Sequence, residues 1–244
     1  SVMRTKISFI GCGDAFGSGG RLQTCILVST AAMRFTIDFG ATSLVGLRQR
    51  NIDPNSIDAV LLTHLHGDHC AGIPFLLLDA VLGSRRERPL TIAGPRSTQR
   101  HLNDLQESLF PGSSGMKPAF ALNFRELVHD ACTTFDSLEV RAIAARHTPQ
   151  AEPSALKVTS AGKTIAYTGD GEYTDALSEF VHGVDLLIAE SYSYDKPIPG
   201  HLNYEDIDRL QAKRIVLTHM NAGMLARADT LAQVCAYDGL EIEI

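Results

Sequence analysis

Apolar and polar positions fall into short blocks along this chain, and most of the blocks have strand length. Lys6–Ile10 reads as a strand, Gly11–Gly20 as a glycine-rich loop, and Cys25–Ser29 and Arg34–Ile37 as two further strands. Thr42–Gln49 has the spacing of a short helix. Asp58–Thr63 is a continuous apolar run between polar residues, the pattern of a strand covered on both faces. A helix is expected over Gly72–Leu82, a strand at Leu90–Ala93, a helix over Pro95–Leu109 and a mobile Gly/Ser/Pro loop at Pro111–Pro118. In the second half Thr133–Phe135, Leu138–Ala144, Leu156–Thr159 and Thr164–Thr168 are β-like. Asp175–Val181 is helical, Asp185–Ala189 a buried strand, Tyr204–Gln211 helical, Arg214–Thr218 a buried strand and Ala226–Ala236 a terminal helix. No repeat, linker or low-complexity tract divides the halves. Residues 1–244 therefore read as one α/β domain of two sheets flanked by helices.

Composition narrows the function classes. Twenty-two basic against 28 acidic residues give a net charge of −6, which disfavours a broad nucleic-acid-binding surface. The basic residues that do cluster are Arg85, Arg86, Arg88, Arg96 and Arg100, which read first as a solvated helix edge and second as a contact for a phosphorylated substrate. Ser1–Ile10 carries no signal-peptide pattern. The longest mainly apolar stretch, Ala71–Gly83, is broken by Gly72, Pro74 and Asp79 and is too short to span a bilayer. The five cysteines are scattered and form no CxxC pair, so reduced thiols in a cytoplasmic protein are expected. Cys70 follows the strongest motif and is expected to be a small packed residue instead of a ligand.

That motif is Thr63–His69 (THLHGDH), directly after the buried strand. A tight turn at a strand end lets neighbouring side chains converge, and imidazole nitrogens with a carboxylate suit zinc, manganese or iron. Three residues elsewhere follow β-like runs in the same way: His147 after RAIAAR, Asp170 after TIAYTG and His219 after RIVLT. Alone, His147 or His219 would read as a structural histidine. Together they point to one edge of the fold and a shared metal centre.

HxHxDH followed by separate His, Asp and His, each after a strand, resembles the metallo-β-lactamase superfamily along essentially the whole chain. The resemblance implies a four-layer αβ/βα sandwich of two mixed sheets flanked by helices, holding two divalent metal ions, with Zn2+ expected ahead of Mn2+ or Fe. It assigns His64, His66 and His147 to one metal and Asp68, His69 and His219 to the other, with Asp170 bridging. Asp38, in Ile37–Gly40 (IDFG), matches the family's first motif and is expected to support the histidine loop without binding metal.

Within the superfamily, Phe9–Arg21 (FIGCGDAFGSGGR) and Arg88–Pro95 (RPLTIAGP) resemble the phosphodiesterase branch that includes ribonuclease Z. Gly200–Asp206 (GHLNYED) puts His201 where that branch has a histidine acting on the scissile phosphate. The chain also departs from ribonuclease Z. Residues 148–169 are too few for the long tRNA-binding arm and already hold two strands. The His-Glu-Ala-Thr signature stands here as Ala189–Tyr192 (AESY), keeping Glu190. Small, armless phosphodiesterases match better. The reading is a dinuclear hydrolase of a small phosphodiester or a cyclic nucleotide or ribose phosphate, with Asp68 and His201 catalytic and Glu190 orienting His201. A small phosphorylated substrate is the expected partner; RNA is less favoured, and a homodimer remains open. The alternatives are a ribonuclease Z-like tRNA 3′ endonuclease, a thioesterase of the glyoxalase II type, and a non-catalytic metal-binding homologue.

Overall fold

The computed structural model describes residues 3–244; Ser1 and Val2, the first positions of the stretch read for a signal peptide, lie outside them. The strands are β1 Lys6–Gly11, β2 Cys25–Ser29, β3 Arg34–Ile37, β4 Ala59–Leu61, β5 Leu90–Gly94, β6 Leu122–Glu126 and β7 Cys132–Phe135. They continue as β8 Leu138–Ala144, β9 Ser154–Ser160, β10 Lys163–Tyr167, β11 Leu186–Glu190, β12 Ile215–Thr218, β13 Val234–Cys235 and β14 Glu241–Glu243. The α-helices are α1 Ser43–Gln49, α2 Gly67–Cys70, α3 Ile73–Leu78, α4 Thr98–Leu109, α5 Asp175–Val181 and α6 Ala222–Leu225.

Among the described residues the strands form two seven-stranded sheets, in the orders β14-β1-β2-β3-β4-β5-β6 and β13-β12-β11-β10-β9-β8-β7. Each is mixed. In the first, β14, β1, β2 and β3 pair antiparallel and β3 to β6 parallel. In the second, β7 to β10 pair antiparallel and β10 to β13 parallel. The parallel halves carry the histidine loop, Asp170 and His219, because parallel strands end on one edge where their following loops meet. His147 comes to the same site from the end of antiparallel β8.

The continuous apolar runs have a simple cause: the central strands are covered on both faces. Ala59 and Leu61 join the core between the sheets, while Val60 and Leu62 face the helical layer. In the second sheet Leu186 and Ile188 point between the sheets, and Leu187 and Ala189 meet the layer containing Leu177 and Val181 of α5. This is the expected sandwich with helices on both outer faces. No helix among the described residues is long and apolar enough to cross a membrane.

Several boundaries differ from the sequence pattern. Ala226–Ala236 is not a helix: a short α6 ends at Leu225, a 3-10 turn spans Ala228–Thr230, and Val234–Cys235 forms an edge strand. The α6 start is fixed by Asn221, whose side chain accepts the Met224 N–H at 2.9 Å, and Val234 and Cys235 are drawn into pairing with Val216 and Leu217. Tyr204–Gln211 shortens to a 3-10 helix over Tyr204–Arg209, started by an Asn203–Asp206 capping box. The helix expected to run to Leu82 widens into a π-helical turn at Asp79–Gly83. Strand β6, LNFRE, alternates over too few and too exposed residues to stand out in the sequence, and it forms on the parallel ladder that β5 offers.

Candidate metal centre

The candidate metal-binding residues lie on segments that follow a strand. Asp38 follows β3 with φ of 61°, a left-handed conformation that an aspartate tolerates and that turns its carboxylate inward. Oδ1 of Asp38 accepts the Thr63 N–H at 2.8 Å, and Oδ2 accepts the Thr63 hydroxyl at 2.8 Å and His69 Nδ1 at 2.6 Å. Asp38 therefore clamps both ends of the histidine loop from beneath, as its motif implied. The loop packs tightly on the chain after β3: a Cβ at Gly40 would collide with the Asp68 carbonyl oxygen, so a side chain there would displace the loop.

These contacts fix the imidazole tautomers. The Thr63 hydroxyl donates to Asp38, so it accepts from His64 Nδ1 at 2.9 Å. His69 Nδ1 donates to Asp38, and His147 Nδ1 donates to the Gly200 carbonyl at 2.6 Å. In all three rings Nδ1 carries a proton, which leaves Nε2 as the nitrogen facing inward. Anchoring one ring nitrogen in this way is what orients a metal-binding histidine.

Four overlapping groups of donor atoms result among the described residues, and two of them matter most here: His64, His66 and His147 form the first, and Asp68, His69, Asp170 and His219 the second. In the first, His147 Nε2 lies 3.2 Å from His66 Nδ1. In the second, Asp68 Oδ2 lies 3.2 Å from His69 Nε2 and 3.3 Å from His219 Nε2. Asp170 Oδ2 faces both: it is 3.3 and 3.5 Å from His69 and His219, and 3.6 and 3.9 Å from His64 and His147. Ligands about 2.0–2.1 Å from a tetrahedral ion stand roughly 3.3 Å apart, so the spacing fits divalent metal. Buried His64 Nε2, His69 Nε2 and Asp170 Oδ1 have no hydrogen-bond partner, which is costly unless a cation satisfies them.

The electrostatics follow from crowding charges in a dry pocket. Burial, reinforced by the neighbouring His69 charge, holds the His64 imidazole well below its ordinary pKa. Burial also works against His69 and His219, but the Asp170 carboxylate outweighs it and both rise well above theirs. Asp170, which burial alone would push up, is held well below the carboxylate range by His219 and His69. The carboxylates thus draw positive charge onto His69 and His219, the place a bound cation would take.

His201, from the loop before the Tyr204–Arg209 turn, stands beside this cluster. Its Nδ1 lies 2.7 Å from Glu190 Oε2, so the residue expected to orient it does contact it. Glu190 is fully buried at the end of β11, and its Oε1 accepts the Gly171 and Leu202 N–H groups at 3.1 and 2.8 Å. Burial lowers the His201 pKa, and the Glu190 hydrogen bond and charge raise it to a net value above the ordinary range. Glu190 Oε2 also lies 3.1 Å from His219 Nδ1, without hydrogen-bond alignment.

Sequence reasoning missed Tyr192. Its ring stacks on His201 with centroids 4.1 Å apart and an interplanar angle of 18°. The signal lay in the AESY departure at Ala189–Tyr192, where an aromatic replaces a small residue. The glycine-rich loop also gains a role: buried Asp14 accepts the Phe16 and Ser18 N–H groups, and the Cys12 carbonyl accepts the His219 N–H at 3.1 Å. Cys70 packs in the core, with burial pushing its thiol up to about 12, and forms no part of a donor group. The arginine cluster disperses. Arg86 is buried and donates to the carbonyls of Pro54, Ile57, Arg88 and Pro89, Arg88 pairs with Asp58, and Arg96 alone lines a cavity beside His147.

Comparison with known proteins places the fold. The family model for the β-lactamase superfamily domain matches residues 35–220. An uncharacterised protein of Mycobacterium tuberculosis is 27% identical over 98% of this chain and 89% of its own length. A ribonuclease Z of Saccharolobus islandicus is 27% identical over 88% of each chain. The metallo-β-lactamase fold protein YhfI of Bacillus subtilis superposes with a TM-score of 0.81 at 22% identity, covering 99% of this chain and 100% of that one. A diphosphatase from the PhnP family superposes with a TM-score of 0.77 at 20% identity, covering 99% and 98%. The chain belongs to the β-lactamase superfamily, with the metallo-β-lactamase fold.

Proposed function

We propose that residues 1–244 form one hydrolase domain that holds two divalent metal ions and cleaves small phosphodiesters. The observation carrying this reading is the donor geometry. Asp170 Oδ2 stands within 3.3–3.9 Å of His69, His219, His64 and His147, and half-buried His201, paired with buried Glu190, lies alongside. His64, His66 and His147 would hold one ion and Asp68, His69 and His219 the other, with Asp170 shared and Zn2+ favoured by the nitrogen-rich donors. Such a pair, when bound, supplies an acidified water and neutralises charge on the phosphate oxygens.

The protein's own groups then have distinct tasks. Asp38, Thr63 and the Gly200 carbonyl keep the rings in the tautomer whose lone pairs face inward. Asp68 has an oxygen toward the cluster and accepts the proton of the attacking water. His201 carries its proton at Nε2 with Nδ1 anchored on Glu190, and donates to the phosphate or to the leaving oxygen. Tyr192 covers one face of that ring and limits its tilt.

A ribonuclease Z relative and a PhnP-family diphosphatase neighbour support phosphorus as the atom attacked. Precursor tRNA is the less favoured substrate. Residues 148–169 form a 3-10 turn and strands β9 and β10, leaving no segment for a tRNA-binding arm, and the net charge is −6. The test pairs metal analysis with rates on bis-para-nitrophenyl phosphate, thioesters and precursor tRNA. About two ions per chain and at least a roughly tenfold preference for the small phosphodiester are expected. A thioester preference moves the protein to the glyoxalase II type. Specific 3′ processing of tRNA with salt-resistant binding moves it to ribonuclease Z.

A further inference from the structure

A cleft of about 440 Å³ lies beside the metal centre, and His147, a member of the first donor group, is part of its lining. Its volume falls within the roughly 300–1,000 Å³ of small-ligand sites. Two kinds of lining meet in it. Pro95, Val128, Pro149 and Pro153 supply apolar surfaces, and Val128 is 49% exposed with no partner covering it. Arg96, His129, Glu126 and Glu152 supply polar groups.

The polar groups are fixed to different degrees. Glu152 Oε1 accepts the Ser97 N–H at 3.1 Å, which ties the start of α4 to the loop after His147. His129 Nε2 lies 2.7 Å from Ser154 Oγ, which leaves its other ring nitrogen unengaged. Arg96 is exposed and makes no ion pair among the described residues. The cleft thus offers a guanidinium donor, carboxylate acceptors and an imidazole around apolar walls.

From this chemistry we infer that the cleft binds the nucleoside arm of the phosphodiester substrate, with the base between the proline and valine walls. This rests on the phosphodiesterase reading and refines it. A nucleobase combines flat faces that sit well on apolar surface with an edge carrying both donors and acceptors. An alkyl or lipid arm would cover Arg96 and Glu126 and offer neither a hydrogen-bond partner. A further phosphate, as in a polynucleotide track, would meet two carboxylates against one guanidinium, an unfavourable balance. A mononucleoside diester satisfies all three conditions.

Two esters with the same leaving group isolate the arm: the para-nitrophenyl ester of thymidine 5′-phosphate and methyl para-nitrophenyl phosphate. The metal-loaded protein should favour the nucleoside ester at least tenfold in kcat/KM, mostly through KM. Ala144→Phe puts a ring into the cleft from an exposed position at the end of β8 and should reduce that preference at least tenfold. Val128→Asp, on a different wall and also exposed, should reduce it too, so that poor folding of one variant does not decide the result. A general loss of structure would lower both rates and leave their ratio intact. An equal kcat/KM for the two esters, or an unchanged preference in both variants while methyl para-nitrophenyl phosphate is cleaved at the parent rate, overturns the inference.

Binding of the products gives a second readout that needs no turnover. Thymidine 5′-phosphate should bind at least tenfold tighter than methyl phosphate by calorimetry, and the advantage should vanish in Ala144→Phe. If neither ester is cleaved, the phosphodiesterase reading fails on its own. The cleft then stands if the nucleotide advantage is present and lost in the variant, and falls if both phosphates bind alike.

Discussion

The first sheet delivers His64, His66, Asp68 and His69 on a single loop between β4 and α3, whereas the second delivers His147, Asp170 and His219 from three separate loops after β8, β10 and β12. The first set is shaped locally: Asp38 and Thr63 fix its rings through hydrogen bonds of 2.6–2.9 Å. In the second, Asp170 and His219 depend on the parallel register of β10, β11 and β12, which aligns Tyr167 with Ile188 and Glu190 with Thr218, and His147 depends on the antiparallel pairing of β8 with β9. The loop can therefore lose one ring and keep its shape. On the second sheet, each donor follows the end of a whole strand, and Asp170 Oδ2 faces histidines of both groups. Losing donors from the second sheet should be the more damaging.

Asp170→Ala breaks the comparison hardest. Because its Oδ2 faces histidines of both groups, the variant should lose both ions and fall to background activity, read by metal analysis and phosphodiester turnover. Full metal content in that protein would remove the bridging assignment.

Next in size is His201→Ala. Turnover should drop by about 10²–10⁴, the range for a positioned acid or base, with both ions retained. A leaving-group series separates its roles. A general acid matters for high-pKa alkoxides and little for para-nitrophenolate, while a phosphate clamp is missed equally with both. Normal turnover on both substrate types would make His201 a bystander.

Asp38→Ala probes the local half. It removes the acceptor for the Thr63 hydroxyl and for His69 without removing a donor to metal, so affinity should weaken by about 10–100-fold in a chelator competition. An affinity loss as complete as that of Asp170→Ala would show the first loop to be no more tolerant than the second sheet.

Tyr192 gives the smallest expected effect. An aromatic stack contributes about 0.5–1.5 kcal/mol, so Tyr192→Ala should slow turnover by roughly 2–10-fold, with Tyr192→Phe close to the parent. If Phe fails as badly as Ala, the hydroxyl is what matters and the stacking account is wrong.

The histidine loop was readable because its residues are contiguous and follow a run, Asp58–Thr63, whose apolar continuity marks a strand covered on both faces. His147, Asp170 and His219 were readable for the same reason, each following an apolar strand. The edges were less legible. β6 carries exposed Asn123, Arg125 and Glu126, and β13 and β14 are too short to show a period, so their pairing comes from neighbouring strands. Buried Arg86 also escaped, since nothing in a run of arginines tells which one will be enclosed by four carbonyl groups.

The sequence by itself determined the two-sheet architecture and the set of metal-suited side chains, because burial on two faces and ligand chemistry both leave marks in residue type and spacing. The tertiary structure alone decided which nitrogen of each ring faces inward, that Asp170 Oδ2 reaches both groups, that Tyr192 lies on His201, and that Arg96 borders a cleft beside His147. Those are distances of a few ångströms between residues far apart in the chain. They are set by strand register and packing, which no local stretch of sequence encodes.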